Sequence, residues 1–192
     1  MNSYIQNELQ EMQQVMMTML SDTVLQALLE AAARTCVNCL ENDGRILLAG
    51  NGGSAADSQH IAAELVSRFA FDRPGLSAIA LTTDTSILTA IGNDYGYDKL
   101  FARQIQALGK KGDIFIGYST SGLSPNILNA FESANSQELK CIGLTGNRGG
   151  PMGEMCDHLF EVPSAYTPRI QEGHLMIGHI LCGLIEKEMF GE

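Results

Sequence analysis

Two kinds of hydrophobic pattern alternate along the chain. Apolar residues recur at helical spacing over residues 4–20, 22–42, 54–71, 85–92, 98–109 and 124–136, and from about Thr167 to Met189. Between these stretches lie short, nearly continuous apolar runs at Arg45–Ala49, Ala78–Leu81, Asp113–Tyr118, Lys140–Leu144 and Leu159–Val162. Runs of that kind predict strands covered on both faces, because a half-exposed strand would alternate apolar and polar residues. Strands separated by helices predict an α/β fold with a five-stranded parallel sheet between two helical layers. Punctuation agrees with this reading. Ser21 or Asp22 can cap the second helix, Ser124-Pro125 offers a hydroxyl cap followed by proline at the first helical position, and Pro168 suits a first turn. Met12, Met16, Met17 and Met19 crowd the first helix and predict a buried contact, with a subunit interface a natural place for it. No repeat, low-complexity tract or linker interrupts the pattern. The expectation is one domain over residues 1–192, with residues 1–42 as a helical oligomerisation segment.

Composition changes the picture only by exclusion. With 192 residues, 45% of them hydrophobic, the chain has material for a substantial core. A net charge of −10 with no cluster of lysine or arginine argues against nucleic acid as a partner, because phosphate backbones need grouped cations. No apolar run approaches the roughly 20 residues that span a bilayer, and residues 1–14 lack the apolar core of a signal peptide. A cytoplasmic protein is expected. The five cysteines form no disulfide-like spacing. Cys36-Val37-Asn38-Cys39 is formally a C-x-x-C, but it lies inside a helical pattern and reads as packed thiols.

The most informative segment is Gly50-Asn51-Gly52-Gly53-Ser54-Ala55-Ala56-Asp57-Ser58-Gln59-His60-Ile61-Ala62-Ala63-Glu64. A predicted strand runs into a glycine-rich turn and then a helix, on which His60 and Glu64 share one face at i and i+4. That is the layout of a catalytic cleft at the carboxyl end of a parallel strand. Ser54-Ala55-Ala56-Asp57 also fits a capping-box-like helix start, which would explain Asp57 and part of Ser54. It leaves Asn51, Gly52 and Gly53 without a structural reason.

A second segment, Ser119-Thr120-Ser121-Gly122-Leu123-Ser124-Pro125-Asn126, follows another predicted strand. It places four hydroxyls at a helix N-terminus, where backbone N–H groups and the helix dipole favour an anion. One cap needs one hydroxyl, so a small-molecule phosphate is the better account. The chain has no Gly-Lys-Ser/Thr loop and no complete dinucleotide-binding glycine pattern. A third segment holds Gln171, Glu172, His174 and His179 on the last helix. His179 alone, among Met176, Ile177, Ile180 and Leu181, would read as a core histidine. Three of the four histidines nevertheless fall in the two segments that carry Glu64 and Gln171, which points to a shared site. His158 lacks such company and is expected at the surface. Asp84 reads as a cap or as polar lining, and Asn93-Asp94 as a turn or as lining.

Together, Gly50-Asn51-Gly52-Gly53-Ser54, His60-x-x-x-Glu64, Thr82-Thr83-Asp84…Gly92-Asn93-Asp94, Ser119-Thr120-Ser121-Gly122-x-Ser124 and Arg169-Ile170-Gln171-Glu172…His179 carry a resemblance. In this order they resemble the sugar isomerase (SIS) domain family, and within it the phosphoheptose isomerases, over nearly the whole length. The resemblance implies a three-layer flavodoxin-like fold, a homotetramer and active sites built between subunits. It implies conversion of sedoheptulose 7-phosphate to D-glycero-D-manno-heptose 7-phosphate, the entry to bacterial heptose synthesis for lipopolysaccharide core or related glycans. It implies Glu64 and His179 as catalytic groups and zinc held by His60, Glu64, Gln171 and His179. The substrate contacts it implies are Asn51, Gly52, Gly53, Ser54, Glu64, Asn93, Asp94, Ser119, Thr120, Ser121, Ser124 and Gln171. Two other readings stay open. One is a non-catalytic SIS protein that binds a phosphosugar or a replication initiator, and the other is an SIS activity on an amino-sugar phosphate. Spacing alone sets a condition on the metal: Gln171 and His179 are eight residues apart, roughly 12 Å along a straight helix. Either copies of the helix from different subunits supply them, or one ligand is long or absent in some states.

Overall fold

A computed structural model describes residues 2–147 and 150–191. Helices α1 (Asn2–Ser21) and α2 (Thr23–Glu41) come first, followed by β1 (Ile46–Ala49), α3 (Gly53–Val66) and β2 (Ala78–Ala80). Then come α4 (Thr85–Asp94), a 3-10 turn (Tyr97–Lys99), α5 (Leu100–Leu108), β3 (Ile114–Tyr118) and α6 (Pro125–Ser136). The chain ends with β4 (Lys140–Gly146), α7 (Met152–Met155), β5 (His158–Val162) and α8 (Thr167–Phe190). All five strands are parallel, in the order β2-β1-β3-β4-β5, with Leu48 opposite Ile116 and Ile116 opposite Ile142. This is the flavodoxin-like order, in which the chain reverses direction across the sheet between β1 and β3. The carboxyl ends of those two strands therefore open a crevice, and the glycine loop and the serine loop both lie there.

The continuous apolar strands split by alternation. Ile46, Leu48, Ile114, Ile116, Tyr118, Ile142, Leu144, Phe160 and Val162 face a layer built by α1, α2, α3 and α8. Leu47, Ala49, Phe115 and Cys141 face the opposite layer, with Phe101, Ile105, Ile127 and Phe131 of α5 and α6. Burying both faces explains why the sequence shows runs rather than alternation.

Asp22 is the residue that starts α2, its Oδ1 accepting from the amides of Val24 and Leu25 at 2.9 and 3.0 Å. The cysteines are free thiols, and Cys36, Cys39, Cys141 and Cys182 are buried, as the helical setting of Cys36 and Cys39 predicted. Burial pushes the Cys39 thiol up to about 11, and those of Cys141 and Cys182 up to about 12.

Two expectations need correction, the end of α3 and the placing of His158. Helix α3 stops at Val66 instead of continuing to residue 71, because the side chain of Arg73 takes up the carbonyls of Glu64 and Leu65 at its end. Helix α7 was not anticipated, since four residues are too few to show a period. Of the methionine stripe, Met19 is buried and Met16 packs on the core, while Met17 is 54% exposed in the single chain, where the expected subunit contact would lie. His158 is half-buried, with its Nε2 at 2.9 Å from Thr35 Oγ1, because β5 turns it toward α2. Among the described residues, no single helix is long and apolar enough to cross a bilayer.

Candidate active site

The glycine loop is shaped by contacts that a side chain would block. Gly52 has φ +57°, a left-handed conformation that suits glycine. At Gly53 a Cβ would stand only 2.5 Å from Gln171 Nε2. The N-cap of α3 is Gly52, with no side-chain cap bond. The capping box expected at Ser54–Asp57 therefore does not form: both residues lie inside the helix. Asp57 Oδ2 is buried without a partner, and burial holds its carboxyl above the usual range despite nearby His60.

Asn51 hydrogen-bonds reciprocally with Asn126, Nδ2 to Oδ1 at 2.9 Å and back at 2.8 Å. Tyr97 donates its hydroxyl to Asn51 Oδ1 at 3.0 Å. The glycine loop is thus tied to the first turn of α6 and to the 3-10 turn. Asn126 and Tyr97 escaped the sequence reading; the position of Asn126 directly after the Ser124-Pro125 start was the available signal.

The serine loop closes on itself. Ser119 Oγ donates to Ser124 Oγ at 2.9 Å, and Ser124 N donates to Ser119 Oγ at 3.3 Å. Gly122, at φ +68°, donates to the Ser119 carbonyl at 3.0 Å. Ser124 is the N-cap of α6 and Pro125 follows it, as predicted, with no cap bond from the Ser124 side chain. Ser119 is buried, while Thr120, Ser121 and Ser124 are partly exposed. Hydroxyls gathered over a helix N-terminus in this way suit an anion.

On α3, His60 Nε2 lies 3.2 Å from Glu64 Oε1. On α8, His179 Nε2 lies 3.0 Å from His60 Nε2, and the Phe69 ring sits 5.7 Å from the His179 ring. The reading of His179 as a mere core histidine is thereby replaced. Donor atoms of His60, Glu64 and His179 lie within 4.8 Å of one another. A tetrahedral ion with bonds near 2.1 Å would need donors about 3.4 Å apart. Two imidazoles and a carboxylate at 3.0 and 3.2 Å fit a divalent cation of the zinc type in both donor chemistry and spacing. Gln171 stands elsewhere in this chain. Helices α3 and α8 run side by side, Gly53 meeting Gln171 and Ile61 meeting Gly178. Gln171 is therefore at the glycine-loop end, below the histidine pair.

Beneath the site, His174 of α8 is fully buried, with the backbone of Thr145 as the polar group beside its ring. Burial pulls it down to about 4, and it packs edge-on against Tyr118 at 5.9 Å. Asp84 is a cap, its Oδ1 accepting from Ile87 N at 2.9 Å. Asn93 and Asp94 are exposed on the last turn of α4, bonded to each other at 2.8 Å. They do not line the hollow of about 350 Å³ beside the glycine loop, which Asn51, Thr82, Tyr97 and Phe101 do line. A larger cleft of about 980 Å³ opens at the other end of the strands. Its Lys111 and Lys140 are paired with Glu138 and Asp157 at 2.7 and 2.6 Å, and it holds none of the groups described above.

A hydroxyl-lined helix start at the carboxyl ends of a parallel sheet, with an imidazole–carboxylate cluster farther along α3 and α8, is the arrangement to be compared with known families. Residues 9–146 match the SIS domain family, and the chain belongs to it. Within that family it groups with the phosphoheptose isomerases. The phosphoheptose isomerase of Burkholderia pseudomallei strain 1710b is 65% identical over 190 residues, 99% of this chain and 96% of the relative. The solved phosphoheptose isomerase of Francisella tularensis superposes with a TM-score of 0.92 at 40% identity, covering 96% of this chain and 97% of that one. That of Neisseria gonorrhoeae superposes at 0.89 with 41% identity, covering 97% and 98%.

Proposed function

We propose that the chain is an aldose–ketose isomerase that converts sedoheptulose 7-phosphate to D-glycero-D-manno-heptose 7-phosphate through an enediol(ate). This would place it at the first step of heptose synthesis for lipopolysaccharide core or related glycans. The observation that carries the reading is the convergence of His60, Glu64 and His179 from two helices, in a chain 65% identical to a phosphoheptose isomerase. A purely phosphosugar-binding protein would need the serine loop but not this cluster.

In this reading Ser119, Thr120, Ser121 and Ser124 hold the phosphate, aided by the N-terminus of α6. Asn51, Gly52, Gly53, Ser54, Gln171, Asn93 and Asp94 contact the sugar, the last two from a neighbouring copy of the chain. Glu64 takes the C1 proton and, as its conjugate acid, delivers a proton to C2 of the enediol(ate), while His179, the partner acid/base, moves a proton between the two oxygens. Each such group contributes about 10²–10⁴-fold. Zinc would be held by His60, Glu64 and His179, with Gln171 reaching it from another copy. When bound, it would polarise the substrate carbonyl. Glu64 is a weaker base when its carboxylate is so engaged, so its two roles alternate. The assembly is a homotetramer with composite sites, working in the cytoplasm on a small sugar phosphate and not on nucleic acid or membrane.

Purified protein with sedoheptulose 7-phosphate, followed by NMR, should show the heptose product and loss of C1 deuterium to solvent. Complete passage of the label to C2 would favour a single-base shuttle or hydride transfer. Glu64→Gln and His179→Gln should each abolish turnover while the sugar still binds. Substantial residual kcat in both would sink the pair and shift attention to Asp57, Asp94 or Glu172.

A further inference from the structure

Two turns beyond the histidine–carboxylate cluster, a buried ion pair ties α8 to the segment that follows α3. The side chains of Arg73 and Glu186 are 2% and 1% exposed, with Arg73 Nε at 3.0 Å from Glu186 Oε1. Isolating two charges from water is unfavourable unless every remaining donor and acceptor is used. Here they are used on particular groups. Glu186 accepts the amides of Phe69 and Ala70 at 3.0 and 2.7 Å, which fixes the backbone just after α3. Arg73 donates to the carbonyl of Glu64 at 2.9 Å and to that of Leu65 at 2.6 Å, which are open acceptors of the last turn of α3. Burial alone would raise the Glu186 carboxyl, but the two amides and Arg73 together hold it below the usual range.

The positions matter more than the strength. Glu186 is seven residues beyond His179 on α8, two turns along and on the same face. Arg73 grips the main chain of Glu64 itself. Glu186 grips the main chain of Phe69, whose ring rests 5.7 Å from that of His179. One ion pair thus touches the helix end that carries Glu64, the segment that backs His179, and the helix that carries His179. We propose that Arg73 and Glu186 are positioning residues that set the distance and orientation between Glu64 and His179. The pair touches no reacting atom. This inference rests on the assignment of Glu64 and His179 as the acid–base pair. The serine loop, which holds the phosphate, lies at the opposite end of α3 and should not feel the pair.

The test uses the full chain. Kinetics with sedoheptulose 7-phosphate would be run on Glu186→Gln and Arg73→Lys, with imidazole ¹⁵N–¹H spectra recorded on each. Expected is a fall in kcat of roughly tenfold to a hundredfold, the scale of a misplacement near 1 Å, with KM changed less than threefold. The His60 and His179 resonances should shift while the amides of residues 119–124 stay in place. Glu186→Gln, which keeps one acceptor oxygen, should retain more turnover than Glu186→Ala. If Glu186→Ala fails to fold, Arg73→Lys carries the comparison. Wild-type kcat in Glu186→Gln and Arg73→Lys, with only a lowered melting temperature, would overturn the proposal. So would unshifted histidine resonances. An active Glu64→Gln variant would remove the acid–base assignment instead, and the spectra would still report whether the ion pair orients the histidines.

Discussion

Ser119 and Ser124 carry the proposal that the serine loop holds a phosphate without cations. Their hydroxyls bond to each other at 2.9 Å above the N-terminus of α6, in a chain with only 12 lysines and arginines against 22 acidic residues. If they hold the phosphate as proposed, replacing either by alanine removes a bond to a charged ligand, which is worth about 1.5–3 kcal/mol. KM for the phosphorylated sugar should rise roughly 10- to 150-fold, measured by steady-state kinetics. Unchanged KM in both variants would place the phosphate elsewhere. His174 makes a different prediction. It ordinarily takes up a proton near pH 6.5, but in the fold not until about 4. Above pH 6.5 both folded and unfolded chains hold it neutral, and its contribution is fully present. Between 6.5 and 4 the unfolded chain binds a proton that the folded chain refuses, so stability falls with pH. The loss between pH 7 and 5 should be about 2 kcal/mol, and His174→Leu should remove that part of the slope in urea unfolding. As candidates, His60, Glu64 and the serine loop were legible because each sits at a strand end or a helical spacing, and His179 because the histidines group with Glu64 and Gln171. The roles of Tyr97 and Phe69 stayed invisible because they come from segments that meet the site only in three dimensions.

At the scale of elements, boundaries governed by local chemistry were legible and those governed by tertiary contacts were not. Asp22 caps α2 as its residue type predicted, at the break where α1 and α2 bend by 74°. Asp22→Ala should cost about 1 kcal/mol in equilibrium unfolding. No loss at all would mean that packing on α8 alone fixes that corner. Helix α3 shows the other case. Its start follows from the backbone freedom of Gly52, not from a side-chain cap, and its end is set by Arg73, nine residues beyond Glu64. Neither has a local signature of the kind that Ser124-Pro125 provides. Gly53→Ala should leave the fold intact, because the obstructing atom is the mobile end of Gln171. It should still raise KM by displacing that amide, a change that titration with substrate would reveal.

The whole molecule leaves apolar side chains in water that one copy cannot cover. Tyr4, Ile5, Leu9, Leu20 and Val24, along α1 and into α2, are 55–75% exposed. Patches of this kind mark contact surfaces. This argues for association, and in the proposed assembly light scattering at assay concentration should show a tetramer; a fully active monomer would refute composite sites. The apolar pattern alone admits several sheet orders; the flavodoxin-like order came from the family resemblance, and it puts the glycine and serine loops side by side. The buried thiols carry one more consequence. Reagents such as iodoacetamide attack thiolate, and thiols pushed up to about 11 or 12 supply almost none at pH 8. Alkylation then records only those moments when the protein opens. Cys36, Cys39 and Cys182 belong to the layer of α2 and α8, and Cys141 to the layer of α5 and α6. Mass spectrometry of the labelled peptides would time the two layers separately, so the chain carries a pair of built-in clocks for its own breathing.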